Sequence, residues 1–461
     1  MIAELKPYQE CRDAGLPWLG QVPAHWGLVP NRGLVRRKKV LVGERHGDYR
    51  LLSLTKKGVV VRDISTGKGK FSSDMGTSQE VRSGDLVFCL FDVPETPRTV
   101  GLSGHDGMIT GAYTVFESVG RGSSEYFELF YRAMDDRKLL SPLYSGLRNT
   151  IPAERFLGTK TPQPPPDEQA AIVRFLDWAN GRLERAIRAK RKVIALLGEQ
   201  KQAIIHRAVT RGLDPSVPVK PSGIPWLGDI PQHWEVRRIK HLLREVDARS
   251  STGSEPLLSM RMHHGLVLFS EHFTRPPQAT TLVGFKIVRP GQFVVNRMQA
   301  GNGVIFASAL TGLVSPDYAV FDPIGDANVD FLGDLFRSRK VRAKFRAESK
   351  GLGTGTSGFL RLYNDRLGAI HVALPPCEEQ GTIVKGLALE LSGVIAAISR
   401  LEREIDLLRE YRTRLVADVV TGKLDVRDAA ARLPDEAPTI TAGDDTDLSI
   451  DPESADEEAT V

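Results

Sequence analysis

Two long stretches of the sequence place apolar residues at alternating steps of four and three. They run over 183–208 and 394–419, about three and a half heptads each. A repeat of 3.5 residues makes helices wrap around one another, so the stretches predict a coiled coil. Both carry a basic residue at the same position, Lys201 and Arg412, where a polar residue can fix the register. The other predicted seam residues are Leu183, Ile187, Lys190, Ile194, Leu197, Ile204, Ala208, Val394, Ile398, Leu401, Ile405, Leu408, Leu415 and Val419.

Two other segments, 28–163 and 236–374, alternate apolar and polar residues in short runs that are broken by glycine. Asp85–Leu90 and Gly291–Asn296 are examples, and this alternation predicts β-strands. The segments share a skeleton of positions but little sequence, which indicates two domains of one mixed α/β fold with different surfaces. A charged helix is predicted late in each domain, over Tyr126–Arg137 and Phe331–Arg346.

The chain repeats itself once. Residues 15–26 read GLPWLGQVPAHW and residues 223–234 read GIPWLGDIPQHW, and these copies hold four of the five tryptophans. Residues 164–173, PPPDEQAAIV, recur at 375–384 as PPCEEQGTIV, and the match continues through the heptad stretches. Prolines followed by an acidic residue are a normal helix start. Duplication of this kind predicts two copies of one structural unit.

These patterns predict an α+β protein in which two long antiparallel coiled-coil helices join two mixed α/β domains in a pseudo-two-fold repeat. The antiparallel order is expected because the first helix leads from domain one to domain two and the second leads back. The alternative is that each helix packs only on its own domain, but matched length and register would then serve no purpose. The expected parts are 1–27 (first tryptophan segment), 28–163 (first domain), 164–214 (central helix), 215–235 (second tryptophan segment), 236–374 (second domain), 375–425 (distal helix) and 426–461 (an acidic disordered tail).

Composition narrows the class of protein. With 461 residues, 41% apolar and 26% charged, the chain has the make-up of a soluble globular protein of several domains. It shows neither a long uncharged apolar run nor a basic segment followed by an apolar core, so we expect a cytoplasmic protein with no membrane partner. Three widely spaced cysteines make a disulfide framework or a cysteine-rich zinc site an unfavourable interpretation.

The net charge of +5 hides an asymmetry. Residues 434–461 carry ten acidic residues and no Lys or Arg, which leaves 62 basic against 47 acidic residues on 1–433. A body with a charge of +15 favours a polyanion such as nucleic acid as partner, although a basic protein without such a partner is also compatible with charge alone. The acidic segment has no aromatic residue and is predicted to be disordered.

Catalytic patterns are missing from the sequence. We find no Asn/Asp-Pro-Pro-aromatic loop of a DNA amino-methyltransferase and no phosphate loop of an ATPase. Pro94-Glu95 and Pro316-Asp317 lack the acidic-x-Lys element of a nuclease. Residues 353–358, GTGTSG, fit the dinucleotide pattern only formally, because a charged helix precedes them. The histidines lack metal-ligand spacing, and His25 and His233 are interpreted as structural parts of the repeated tryptophan turn. We therefore expect no catalytic residue, metal site or cofactor in this chain.

Polar and basic residues on predicted loops suit the reading of DNA, because their side chains can hydrogen-bond base edges and phosphates. For each of them a solvated surface loop is the competing interpretation. The candidates are Lys56, Lys57, Arg148, Asn149, Thr150, Arg297, Gln299, Asn302, Thr354, Thr356, Ser357 and Arg361.

The arrangement of two PWLG-x-[VI]-P-x-HW segments, two PP-x-[DE]-EQ-x-x-IV helices and two divergent domains resembles the DNA-specificity (S) subunit of type I restriction–modification enzymes. The resemblance covers residues 10–425, and the acidic tail is not part of it. It implies a non-catalytic subunit whose two target-recognition domains each read half of a split double-stranded DNA sequence. It also implies that the helices set the spacing and dock two methyltransferase (M) subunits, with restriction/translocase (R) subunits in the full complex. S-adenosylmethionine, ATP and Mg would then belong to those partners.

Two other functions stay open from the sequence. One is a stand-alone bipartite DNA-binding or architectural protein without a partner enzyme. The other is a bifunctional enzyme with an unrecognised active site. Binding to a methyltransferase would exclude the first, and a methylation assay of the isolated chain would test the second.

Overall fold

A computed structural model of the chain describes residues 5–16, 18–62, 75–120, 122–262, 264–273, 276–277, 279–352 and 359–434. These residues form two compact units. Unit 1 contains the described residues of 1–190 and 403–434, and unit 2 contains those of 191–402. The helices are α1 Ser124–Asp136, α2 Ala153–Gly158, α3 Pro166–Arg211, α4 Phe269–His272, α5 Val329–Arg337, α6 Arg339–Glu348, α7 Asn364–Ala369, α8 Cys377–Val420 and α9 Arg427–Ala431.

Unit 1 is built around a four-stranded antiparallel sheet with the strand order β4-β11-β8-β9. Two-stranded pairs surround it: β1 with β2, β3 with β12, β5 with β6, and β7 with β10. The strands are β1 Cys11–Asp13, β2 Gln21–Pro23, β3 Gly27–Pro30, β4 Val35–Lys38, β5 Leu52–Thr55, β6 Gly58–Val61, β7 Gln79–Val81, β8 Leu86–Phe88, β9 Val100–Leu102, β10 Gly107–Ile109, β11 Thr114–Ser118 and β12 Lys160–Gln163.

Unit 2 repeats this topology strand for strand. Its sheet has the order β16-β23-β20-β21, and the pairs are β13 with β14, β15 with β26, β17 with β18, and β19 with β22. The pair β24 with β25 is an addition. The strands are β13 Val219–Pro221, β14 Asp229–Pro231, β15 Glu235–Arg238, β16 Leu243–Val246, β17 Leu258–Arg261, β18 Gly265–Leu268, β19 Lys286–Val288, β20 Phe293–Val295, β21 Ile305–Ala307, β22 Gly312–Val314, β23 Ala319–Pro323, β24 Lys350–Leu352, β25 Phe359–Arg361 and β26 His371–Leu374. The predicted α+β repeat of two mixed domains is thereby confirmed.

Aromatic side chains fill the core between the sheet and the helices of each unit. In unit 1, Phe88 on the sheet packs against Phe156 of α2 with ring centroids 4.8 Å apart. In unit 2, Phe293 packs against Phe336 of α5 at 5.6 Å. All four rings are fully buried.

The two late helices are only partly as predicted. The first is the single helix α1, whose N-cap Ser123 accepts a hydrogen bond from the amide of Tyr126. The stretch predicted as one helix over 331–346 is two helices, α5 and α6, which meet at Ser338. Ser338 has the extended backbone (φ −64°, ψ 147°) of a cap residue, and serine favours caps over helix interiors because its hydroxyl competes for backbone hydrogen bonds.

The two long helices pair in an antiparallel way within each unit. In unit 1, Glu184 of α3 accepts a hydrogen bond from Arg412 of α8 at 3.2 Å, and Lys190 pairs with Glu404. In unit 2, Arg207 donates to Glu390 at 2.9 Å. Rising numbers on α3 therefore meet falling numbers on α8. Each of the predicted seam residues is buried or half-buried, whereas many of their helix neighbours are exposed.

The C-terminal segment starts with order rather than disorder. Helix α9 lies inside the predicted tail of 426–461, and Val426, Ala430 and Leu433 are buried in the core of unit 1. The predicted boundary at residue 426 is therefore too early, because this apolar set has a core to pack into. Residues 435–461, which carry the acidic charge, lie outside the described part.

Candidate nucleic-acid interface and helix surface

The repeated sequence motifs meet around one glutamate at the start of each long helix. In unit 1, Glu168 Oε1 accepts the indole N–H of Trp26 at 3.0 Å, and its Oε2 lies 2.8 Å from His25 Nε2. The hydroxyl of Tyr8 also donates to Glu168. Burial and the neighbouring Glu168 raise the pKa of Tyr8 above its ordinary value.

Unit 2 repeats this contact without the tyrosine. Glu379 accepts the indole N–H of Trp234 at 3.1 Å and lies 2.6 Å from His233 Nε2. The carboxylate is 29% exposed, compared with 5% for Glu168. The prediction that His25 and His233 belong to the structure of the repeated turn is confirmed.

The glutamine that follows each glutamate fixes the next helix. Gln169 accepts a hydrogen bond from the amide of Ser123, the N-cap of α1, and donates to the carbonyl of Pro164. Gln380 does the same for the amide of Asn328, the N-cap of α5. The Glu-Gln motif therefore holds the tryptophan turn and a domain helix against the start of the long helix.

In unit 1, the DNA-binding candidates lie on two loops, and the segment 92–98 contacts both of them. Lys56 and Lys57 are exposed in the turn between β5 and β6. Arg98 donates to the carbonyl of Lys56 at 3.4 Å and pairs with Asp136 at 2.9 Å. The same segment supplies Asp92, which binds the second loop.

That second loop is a tight hairpin over 145–150. The amide of Ser145 donates to the carbonyl of Thr150 at 2.8 Å, and the amide of Thr150 donates back at 3.1 Å. Arg148 is not free at its tip, because its guanidinium forms a two-pronged ion pair with the carboxylate of Asp92. This ion pair holds the pKa of Asp92 below its usual value. Asn149 and Thr150 are half-buried beside it.

In unit 2, the four described candidates form two pairs, Arg297 with Arg361 and Gln299 with Asn302. Arg297 donates to the carbonyl of Asp317 at 2.8 Å, and Arg361 lies 3.7 Å from the carboxylate of the same residue. Burial, and the like charge of Arg361, lower the pKa of Arg297. Gln299 accepts a hydrogen bond from Asn302 at 2.9 Å, which fixes the loop next to these arginines.

Sequence reasoning predicted a charged helix over this stretch but missed its role in supporting this loop. Arg346 of α6 donates to Asn302 Oδ1 at 2.7 Å. Burial, and the like charge of Arg346, lower the pKa of Arg342. Five of the ten residues of α6, RKVRAKFRAE, are basic. This density of basic residues was the signal in the sequence that could have identified the helix as part of the site. The candidates Thr354, Thr356 and Ser357 lie outside the described residues.

The long helices also present apolar side chains to solvent away from their seam. In unit 2, Leu389 is 79% exposed, and Leu196 and Ile395 are exposed too. In unit 1, Leu407 and Tyr411 line a groove of about 600 Å³ beside Lys190.

Helix α8 is the one described helix that is long and apolar enough to cross a membrane, judged by length and composition alone. Its most apolar 18-residue window has a mean hydropathy of 1.6, and 17% of that window is buried. The same helix carries the coiled-coil seam, and its Ile383, Leu387 and Leu391 are buried in the core of unit 2. Among the described residues, no cluster of three or more His, Cys, Asp or Glu side chains is placed to hold a metal ion.

Comparison with known proteins identifies a solved structure with the same fold. No family profile and no curated protein matches the chain. A chain in a solved structure described as "Structural basis underlying complex assembly and conformational transition of the type I R-M system" superposes with a TM-score of 0.54 at 15% identity, over 87% of this chain and 99% of that one. The two chains share a fold. The resemblance to type I restriction–modification systems, stated above from the duplicated motifs, is confirmed at the level of the fold.

Two further structures are less similar. The HsdS subunit from Thermoanaerobacter tengcongensis gives a TM-score of 0.42 at 14% identity, over 89% of this chain and all of that one. The type I S subunit from M. genitalium gives 0.33 at 11% identity, over 86% of this chain and 96% of that one.

Proposed function

We propose that this chain is the DNA-specificity subunit of a type I restriction–modification complex in the cytoplasm. It binds double-stranded DNA with one target-recognition domain on each half of a bipartite target, and it transfers no methyl group itself. S-adenosylmethionine, ATP and Mg²⁺ bind to its partners. The observation that carries the proposal is the recurrence of one strand order in two units whose polar loops differ. A shared scaffold with two different surfaces suits the reading of two different half-sites.

Charge supports DNA as the ligand. In unit 2, Arg297 and Arg361 lie together, and Arg342 and Arg346 form a second pair of like charges beside the same loop. Like charges disfavour each other in the free protein. A phosphate or a guanine edge between the guanidinium groups relieves this repulsion, because both accept hydrogen bonds from arginine.

The exposed apolar side chains of the long helices support protein partners. Contiguous exposed apolar surface usually marks an interaction site in a soluble protein. We assign this surface to two methyltransferase subunits, through which the restriction/translocase subunits join the complex. A stand-alone DNA-binding protein would not need apolar helix faces turned to solvent.

A domain exchange tests the proposal. The chain is produced together with its proposed methyltransferase partner, and methylated adenines are mapped by sequencing. Replacement of residues 28–163 by another such domain is expected to change one half-site and leave the other intact. The matched control replaces residues 236–374 and is expected to change only the other half-site. A change of both half-sites in either variant, or methyl transfer by the purified chain alone, would contradict the proposal.

A further inference from the structure

Leu147 stands at the tip of the 145–150 hairpin with its whole side chain in solvent. Its relative exposure of 104% is the highest of the large apolar residues in the described part of the chain. The residues on either side are glycine and arginine, so Leu147 has no apolar neighbour in the sequence of this tip. A protein interface of standard size buries about 800 Å² on each partner, which a single projecting side chain cannot provide.

The backbone of this tip is held in one conformation. Gly146 and Asn149 both have a positive φ, +69° and +44°, and they enclose Leu147 and Arg148 between them. The paired hydrogen bonds of Ser145 and Thr150 close the hairpin behind the tip. Glycine and asparagine adopt this left-handed region more readily than other residues.

A clamp at Arg148 holds the tip against the body of unit 1. The guanidinium pairs with the Asp92 carboxylate, and the amide of Asp92 donates to the carbonyl of Arg148 at 3.0 Å. The Arg148 guanidinium carbon also lies 6.0 Å from the centre of the Phe91 ring. Arg148 is thereby a positioning residue, and the side chain it presents is that of Leu147.

We propose that Leu147 makes an apolar contact with the C5-methyl group of a thymine in the half-site read by the first domain. This inference rests on the proposed function. The thymine methyl is the apolar group that base pairs expose in the major groove, and a two-stranded hairpin fits that groove. The neighbouring Asn149 and Thr150 supply polar groups for the adjacent base edges. The rigid hairpin carries its leucine to the bases with little loss of conformational freedom on binding.

Binding of the assembled complex to its mapped target tests the contact. Leu147→Ala is expected to weaken binding about fivefold, the loss of roughly one methylene-sized apolar contact. Deoxyuridine in place of one thymine of the first half-site should cause a similar loss with the native chain and no further loss with Leu147→Ala. The salt dependence of binding should stay the same, because no phosphate contact is removed. Leu147→Met should bind like the native chain, and Leu41→Ala, at another exposed leucine of unit 1, serves as the control.

Three results would overturn the contact. The first is unchanged binding by Leu147→Ala, and the second is a lack of coupling between Leu147→Ala and any thymine of the half-site. The third is weaker assembly of Leu147→Ala with the methyltransferase in the absence of DNA, which would make Leu147 a protein contact. Failure of the native complex to bind any bipartite DNA would instead contradict the proposed function, so the two failures are distinguishable.

Discussion

The indole N–H of Trp26 donates to the carboxylate of Glu168 at a distance of 3.0 Å, although 142 positions separate the two residues in the chain. Trp234 and Glu379 form the same hydrogen bond at 3.1 Å. The two duplicated motifs are thus halves of one contact, which joins the tryptophan turn to the start of a long helix. This contact occurs once in each unit, and it can be tested in matched pairs of variants.

Loss of the two carboxylates should have unequal effects. Glu168→Ala leaves the buried hydroxyl of Tyr8 and the buried indole N–H of Trp26 without their acceptor, and it also removes the partner of the more exposed His25. We expect it to lower the free energy of unfolding of unit 1 by about 3 kcal/mol. Glu379→Ala removes two hydrogen bonds at a more exposed site, and about 1 kcal/mol is expected for unit 2. Urea denaturation followed by tryptophan fluorescence measures both. Equal losses of free energy in the two variants would contradict the expectation that the more buried carboxylate contributes more to stability.

Glycine is required where each long helix ends beside its tryptophan. A Cβ on Gly422 would lie 2.2 Å from Pro23 Cδ and 3.1 Å from the Trp26 ring, whereas a Cβ on Gly212 would meet nothing closer than Glu379 Oε1 at 3.4 Å. Both have a positive φ. We expect Gly422→Ala to cost about 3 kcal/mol or more through overpacking and strain, and Gly212→Ala about 1 kcal/mol through strain alone. Thermal unfolding of the two variants, side by side, checks the difference.

A buried polar cluster in unit 1 has an apolar counterpart in unit 2. Asn31 donates to the hydroxyl of Tyr131 at 2.6 Å and accepts from Thr161 at 2.6 Å. The equivalent positions in unit 2 hold Ile239, Phe336 and Val372, all buried.

Asn31→Ile should therefore lower the free energy of unfolding by about 2–4 kcal/mol, because two buried hydroxyls lose a partner. The triple variant Asn31→Ile, Tyr131→Phe, Thr161→Val should recover most of this loss, since no polar group then remains unpaired. Urea denaturation of the single and triple variants measures how much of the lost free energy of unfolding is recovered. A triple variant less stable than the single one would contradict the equivalence of the two cores.

Glu128 on α1 is expected to make stability depend on pH. Burial raises its pKa despite the opposing charge of Arg132. Because the folded pKa exceeds that of the unfolded chain, which is about 4.3, ionised Glu128 lowers stability as pH rises above that value. Glu128→Gln should then be more stable than the native chain at neutral pH and should lose this advantage near pH 4. Thermal unfolding across this pH range measures it, and an advantage independent of pH would exclude ionisation as the cause.

The exposed face of α8 can be tested without touching its seam. Leu389→Glu places a charge where Leu389 is now exposed, so it should leave the thermal stability of the isolated chain unchanged. It should weaken binding of the methyltransferase by about tenfold or more, because a charge would be desolvated in the interface. Leu389→Met keeps the apolar contact and should bind normally. Calorimetric titration with the methyltransferase distinguishes the two variants.

The periodicity of apolar residues predicted the secondary-structure elements that depend on local sequence alone. The heptad steps identified both long helices, and seam residues such as Ile187 and Leu415 are buried. The duplication predicted that one topology would occur twice. The break at Ser338 was missed because charged residues continue on both sides of it, and charge alone does not distinguish one helix from two.

Most of the site depends on contacts between distant parts of the chain, which a single sequence does not reveal. Arg148 was selected as a base-reading residue for its charge and its loop, but its pairing with Asp92 joins positions 56 residues apart. The contact of α6 with Asn302 is of the same kind. The roles of Glu168 and Glu379 were likewise hidden, because a helix-start acid has a sufficient local reason to be there.

Unit 1 takes its N-terminal tryptophan turn from the first residues of the chain and the end of α8 from near the last. During synthesis, Trp26 leaves the ribosome long before Gly422 is made, so the first domain must wait with part of its core surface uncovered. Chains with such long-range contacts fold slowly and expose apolar surface meanwhile. Unit 2, whose residues 191–402 are continuous in sequence, can close first, so the second half of the chain is expected to reach its native state before the first.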